Sequence, residues 1–139
     1  MRSIWAAGLT PFAADGSINK AGFHVYINHW IEGTGIAGFF IASKQGEFFA
    51  MSVAKRKRRF DIAVPACAGR AQDIMSCSGQ NADVVLNLAA LTQACAADYI
   101  VANAPILHFF KAQGETLQRS CEIIASAVDV GIALWSHPQ

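Results

Sequence analysis

The chain has 139 residues, 53% of them hydrophobic and 15% charged, the composition of one globular domain with much apolar surface to bury. Its 11 Lys+Arg against 10 Asp+Glu leave a net charge of +1, which excludes a global attraction to nucleic acid or to an acidic membrane surface. The apolar stretches break at Gly, Asn, Lys or Asp well short of the roughly 20 residues a membrane span needs, and the N-terminus has no charged region leading into an apolar one, so a cytoplasmic protein with no membrane partner is expected.

Short apolar segments at Ile4 to Leu9, Gly38 to Ile41, Ile74 to Ser76, Tyr99 to Ala102 and Gly131 to Trp135 predict strands, and each of the first four is followed by a segment of helical period. In the first helix Phe23, Ile27 and Trp30 fall on one face; Asn19 is placed as its N-cap, with Ile18 and Phe23 in the positions of a hydrophobic staple. The second helix starts after Ser52 and carries the stripe Phe60, Val64 and Cys67. Pro65 removes a backbone hydrogen bond inside its last turns, which costs roughly 3 kcal/mol in a helix interior, so this helix is expected to kink or to end early. The third helix presents Val84, Leu88, Leu91 and Cys95, and the fourth Leu117, Cys121, Ile124 and Val128.

Strand and helix alternating at a repeat of about 30 residues imply right-handed crossovers and a parallel sheet covered by helices. Both an open doubly wound sheet and part of a closed barrel satisfy that pattern. A (β/α)8 barrel typically takes about 250 residues, and this chain supplies five strands and four helices.

Cys67, Cys77, Cys95 and Cys121 are spaced by 10, 18 and 26 residues with no CxxC and no histidine at zinc spacing, so reduced thiols are expected. His24 and His29 are five apart and do not share a face as an i, i+4 metal pair would, and His108 and His137 have no ligand-spaced companions. No bound metal is expected.

The run Lys55-Arg56-Lys57-Arg58-Arg59 is the densest charge in the chain. On a helix its members point about 100° apart, so it is expected to be a solvated outer face with no aromatic pattern to grip a single strand, and no nucleic-acid partner is expected. Its position is unusual, because cations in a first turn oppose the macrodipole and Lys55 stands where a capping box would place an acid. Trp135-Ser136-His137 does not make a Ser-His pair, since neighbours at a strand end face opposite sides and no acid is placed to orient the histidine.

Four stretches, "AAGLTPFAADGSIN" at 6 to 19, "GFFIASKQGEFFAMS" at 38 to 52, "ADYIVANAP" at 97 to 105 and "VDVGIALWSHP" at 128 to 138, together resemble the dihydrodipicolinate synthase and N-acetylneuraminate lyase family. The family's Thr-Pro-Phe and Asp-Gly turn are matched by Thr10, Pro11, Phe12, Asp15 and Gly16. Its second-strand Gly-Ser/Thr-Thr-Gly-Glu loop is matched by Ser43, Lys44, Gln45, Gly46 and Glu47, with only the Gly-Glu pair kept. The resemblance implies that residues 1–139 are a partial (β/α)8 barrel, the N-terminal half with strands 1–5 and helices 1–4, truncated before strand six.

Family members are class I aldolases and related lyases whose strand-six lysine forms a Schiff base with pyruvate or another 2-oxo acid, the protonated imine serving as an electron sink. The resemblance thus implies a small 2-oxo acid substrate, no cofactor, and a homo-oligomer for a full-length form. Lys44, Lys55, Lys57 and Lys111 do not match the Schiff-base position, so the chain alone is expected to be inactive. Lys44, Gln45 and Gly46 match the substrate-carboxylate loop. Gln45 stands where the family has a proton-relaying threonine, and Trp135 where it has the strand-five tyrosine; neither replaces the lost hydroxyl as an acid/base. Pro105-Ile106-Leu107-His108-Phe109 replaces the Pro-Tyr-Tyr segment after strand four. A divergent lyase that condenses, cleaves or dehydrates a 2-oxo acid is the leading expectation. The alternative is a non-catalytic half-barrel that assembles with a partner or a second copy through its open edges and apolar inner face.

Overall fold

The computed structural model of the chain describes residues 4–79, 81–103 and 114–135. Five strands form a single sheet: β1 (Trp5–Ala7), β2 (Gly38–Ile41), β3 (Gln72–Ser76), β4 (Tyr99–Asn103) and β5 (Gly131–Trp135). They lie in chain order and every neighbouring pair is parallel. Between them run α1 (Lys20–Thr34), α2 (Val53–Cys67), α3 (Ala82–Ala94) and α4 (Gly114–Ala127), with a single 3-10 turn at Phe48–Ala50 ahead of α2. Unbroken sequential order is the signature of a sheet that winds one way, as in a barrel, and not of a sheet wound outward from its middle.

The capping signals operate as expected. The Asn19 side chain accepts from the Gly22 N–H at 2.9 Å, and the Ser52 side chain accepts from the Lys55 N–H at 3.2 Å, each satisfying an amide that the first helical turn leaves open. Phe23 and Ile27 are fully buried and Trp30 packs at the margin of the core.

Three expectations need correction. Helix α2 does not end at Pro65 but continues to Cys67 and closes on Ala68 in the left-handed conformation; the bond that proline removes belongs to the final turn, where the helix is about to stop. In α3 the buried stripe is Val85, Leu88, Ala89 and Thr92, with Val84 and Leu91 at its edges and Cys95 just beyond the helix. The buried polar Thr92 bonds the Leu88 carbonyl at 2.9 Å and the Cys77 thiol at 3.4 Å, which is how a hydroxyl takes a core position that hydrophobicity assigned to its neighbours. Within the basic run, Arg56 is 4% and Arg59 0% exposed, so it is not an outer face throughout. Lys111, Pro105 to Phe109, Ser136 and His137 lie outside the described residues, as does the side chain of Leu117.

Register divides the strands into two faces. Phe39 and Ile41, Asp73 and Met75, and Ile100 and Ala102 turn toward the helices and are buried. On the other face Trp5 of β1 meets Tyr99 of β4 edge-on at 6.4 Å, and Phe40 of β2 meets Trp135 of β5 at 5.7 Å. Strands three places apart in a flat sheet are separated by about 14 Å, so these ring contacts require the sheet to curl until its inner face closes on itself. Gly38 and Gly131 make room for the curl: a Cβ on either would come within 2.5 Å of the Trp5 or the Tyr99 ring.

At the N-terminal ends of the strands, β3 and β4 are joined by a reciprocal bracket. The Asp98 carboxylate accepts from the Asp73 N–H at 2.9 Å, and the Asp73 carboxylate accepts from the Asp98 N–H at 3.1 Å. Burial pushes the Asp73 carboxyl up to about 6, against the lowering effect of that hydrogen bond.

Candidate functional site

The C-terminal ends of parallel strands are where side chains and loops can converge, because each crossover helix starts there. At the end of β2 the chain makes a tight loop, Ala42 to Glu47. The Gly46 N–H bonds the Ser43 carbonyl at 3.0 Å, and the Glu47 N–H bonds the Lys44 carbonyl at 2.9 Å. Ala42 and Glu47, at φ 55° and 60°, hold left-handed conformations that cost a non-glycine residue roughly 1–2 kcal/mol each, so the loop is kept in shape by contacts made elsewhere.

Those contacts come from α2 and from β1. The buried Arg59 guanidinium donates to the Gly46 carbonyl at 3.0 Å and, from its other terminal nitrogen, to the carbonyls of Gly8 at 2.7 Å and Leu9 at 2.9 Å. The Thr10 hydroxyl donates to the same Gly46 carbonyl at 2.7 Å. Arg59 thereby ties the end of β1 to the loop after β2. Gly46 has to be glycine because the guanidinium occupies its side-chain position: an added Cβ would lie 2.7 Å from Arg59 Nη2 and from the Gly8 oxygen, and nearer still to Nη1.

One turn earlier on α2, Arg56 donates to the Ser76 carbonyl at the end of β3 at 3.0 Å and stacks over Phe48, while Arg59 stacks over Phe23. Burial holds both guanidinium pKa values below the ordinary arginine value, Arg59 at about 10, so both remain charged at neutral pH. Among the described residues neither has an acidic partner, and the Nε of each finds no acceptor; the ion pair among those residues joins Arg70 and Glu32. The sequence signal for this burial is the series Arg56, Arg59, Ala63, Ala66, spaced i, i+3, i+7, i+10, which continues the alanine face of α2 toward its N-terminus.

Of the outward members of the basic run, Lys55 donates to the Gly16 carbonyl at 2.8 Å. That explains its place in the capping-box slot: the ammonium reaches across to the β1–α1 loop, where Gly16 at φ 76° and the Asp15 carboxylate, accepting from the Ser17 N–H at 2.9 Å, form a turn. The hydrogen bonds from Ser17 hold the Asp15 carboxyl below the usual range.

Lys44 and Gln45 stand at the exposed tip of the β2 loop and Gly46 at its buried root. The backbone N–H groups of Lys44 and Gln45 donate to no acceptor among the described residues. Trp135 is at the same end of the sheet on β5, 45% exposed, with its ring against Phe40, the residue four before Lys44 on the strand that feeds the loop. Among the described residues no group of three or more His, Cys, Asp or Glu side chains is arranged to hold a metal ion. No helix there is long and apolar enough to cross a membrane.

The dihydrodipicolinate synthetase family matches this chain across residues 1–139. The chain is 30% identical over 138 residues to an N-acetylneuraminate lyase of Clostridium perfringens, covering 99% of itself and 47% of that protein. It is 28% identical to the E. coli K12 prophage protein YagE of the dihydrodipicolinic acid synthase family, solved in complex with pyruvate, with a TM-score of 0.91 over 98% of this chain and 45% of that one. Against CdNal from Clostridium difficile, solved in complex with mannosamine, the identity is 27% and the TM-score 0.89, over 96% of this chain and 46% of the other. The chain thus spans about half the length of the relatives it matches. Five parallel strands in sequential order, a curled inner face and this overlap make its fold the N-terminal half of a (β/α)8 barrel, and the chain belongs to the dihydrodipicolinate synthetase family.

Proposed function

We propose that this chain supplies the substrate-carboxylate half of a divergent lyase site for a small 2-oxo acid, which the complete site condenses, cleaves or dehydrates through a lysine Schiff base. The observation that supports the reading is the β2 loop. Lys44 and Gln45 present adjacent N–H groups with no acceptor among the described residues, at the C-terminal end of a barrel strand and in a loop whose Gly46 carbonyl is held by a buried cation, and such an arrangement suits a carboxylate. Lys44, Gln45 and Gly46 hold the carboxylate in this proposal. Gln45 and Trp135 line the reacting end at positions where relatives carry hydroxyls, so proton transfer falls to other groups, and the Schiff-base lysine comes from outside these residues. The 139 residues make one partial barrel domain, and the complete form is a cytoplasmic homo-oligomer.

Two measurements test the proposal. Pyruvate titrated into the 15N-labelled chain is expected to shift the Lys44 and Gln45 amide resonances; a response confined to residues away from the loop would remove the reading. Incubation with pyruvate and borohydride is expected to leave the intact mass unchanged, and a pyruvyl adduct on one of the chain's lysines would overturn the assignment of the nucleophile.

A second reading, a non-catalytic half-barrel that associates with a partner or a second copy, is favoured by the exposure of Leu134 at 62% and Trp135 at 45% on the edge strand β5. Sedimentation velocity separates the two: a folded monomer at tens of micromolar counts against association.

A further inference from the structure

We infer that Arg59 is the electrostatic foundation of the β2 loop, a positioning residue whose charge, paired with no acid among the described residues, makes the loop prefer an anionic 2-oxo acid over a neutral carbonyl compound. The inference rests on the carboxylate-loop reading above and adds to it a residue on a helix, with no place in the loop itself.

A buried guanidinium commonly has a carboxylate partner, because taking an ion out of water costs several kcal/mol that an opposite charge offsets. Arg59 has none among the described residues; its terminal nitrogens are met by the carbonyls of Gly8, Leu9 and Gly46. Carbonyl dipoles meet the terminal nitrogens but leave the net charge in place, and the fully buried position leaves that charge weakly screened by solvent ions. Arg56, bonded to the Ser76 carbonyl one turn away, is likewise without an acid among the described residues and adds to the same field.

The charge is coupled to the loop by geometry. The Gly46 carbonyl is fixed between Arg59 Nη1 and the Thr10 hydroxyl, which locks the peptide at the root of the loop. The Gly46 and Glu47 N–H groups turn back to the Ser43 and Lys44 carbonyls, whereas the amides at the exposed tip, those of Lys44 and Gln45, meet no acceptor among the described residues. Two N–H dipoles in a loop anchored at Gly46 by a buried cation form a site whose affinity depends strongly on ligand charge. A purely architectural arginine would support the loop equally for any ligand.

The test compares pyruvate with its neutral amide, pyruvamide, by 15N NMR titration of the 139-residue chain and its Arg59→Met and Arg59→Lys variants, with circular dichroism confirming the fold. Arg59→Met is expected to lose about tenfold in pyruvate affinity and less than twofold for pyruvamide, and Arg59→Lys to stay within about threefold of the parent for both. Equal losses for the two ligands in Arg59→Met would overturn the inference and leave the carboxylate-loop reading standing. Absence of any pyruvate response in the parent chain would overturn both. Should Arg59→Met fail to fold, Arg59→Lys decides: a pyruvate loss matched by an equal pyruvamide loss refutes the electrostatic role, while retained discrimination supports it.

Discussion

Replacing Gly46 by alanine tests the contact on which the site is built. Gly46 is not among the glycines with positive φ, so alanine brings no backbone strain of its own, and the effect is the collision of a methyl group with the Arg59 guanidinium and with the Gly8 carbonyl oxygen that the guanidinium holds. That guanidinium makes three hydrogen bonds to backbone carbonyls, each charge-assisted bond contributing about 1.5–3 kcal/mol, and displacing it leaves a buried cation partly unsatisfied. The arginine is fully buried and packs over the Phe23 ring, so it has little room to yield. G46A is therefore expected to destabilise the chain by about 3–4 kcal/mol. Gly69 is the control: its φ is 70° but nothing lies within 4 Å of an added Cβ, so G69A should cost only the left-handed strain, about 1 kcal/mol. Urea unfolding followed by tryptophan fluorescence measures both. If G46A costs no more than G69A, the guanidinium does not occupy the space assigned to it, and the reasoning that joins α2 to the β2 loop fails.

Asp73 should make stability fall as pH rises. Its carboxyl ionises near 6 in the fold and near 3.8 in the unfolded chain, so the native state binds more protons between those values; about 3 kcal/mol is lost as pH goes from 4 to above 6. Asp73→Asn should flatten that dependence in urea melts at successive pH values, and an unchanged slope would place its origin elsewhere. Burial pushes the Cys67 thiol up to about 12 and the Cys77 thiol to about 11, so at pH 8 a thiol-reactive dye should label the half-buried Cys95 and Cys121 and spare the other two until denaturant is added. Peptide mapping of the dye adducts checks this. Ser52→Ala should cost about 1 kcal/mol through loss of the α2 N-cap, whereas Lys55→Met, which removes only an exposed bond to Gly16, should change stability by less than about 0.5 kcal/mol.

The strand–helix alternation was legible because apolar runs and helical periods are local patterns, and Asn19 and Ser52 cap where short side chains next to amphipathic segments should cap. The turn after β2 was legible as the polar break Ser43 to Glu47 between the apolar runs of Phe39 to Ile41 and Phe48 to Phe49. Arg59 was not, because a charge within a run of five cations looks solvated, and nothing local reveals that three carbonyls from two other strand ends await it. Thr92 was missed for the same reason: its hydroxyl enters the core only because Leu88 and Cys77 supply partners there.

By itself the amino-acid sequence determined the order of strands and helices, their caps and the parallel sense of the sheet, since each follows from interactions within a few residues or from the lengths of the crossovers. Only the tertiary structure decided how far the sheet curls and which member of a polar stretch is buried. Both depend on side chains distant in sequence: Trp5 against Tyr99 and Phe40 against Trp135 across the inner face, and Arg59 between the ends of β1 and β2. A buried cation is stable only where several backbone oxygens converge, and that convergence exists only once the strands are assembled.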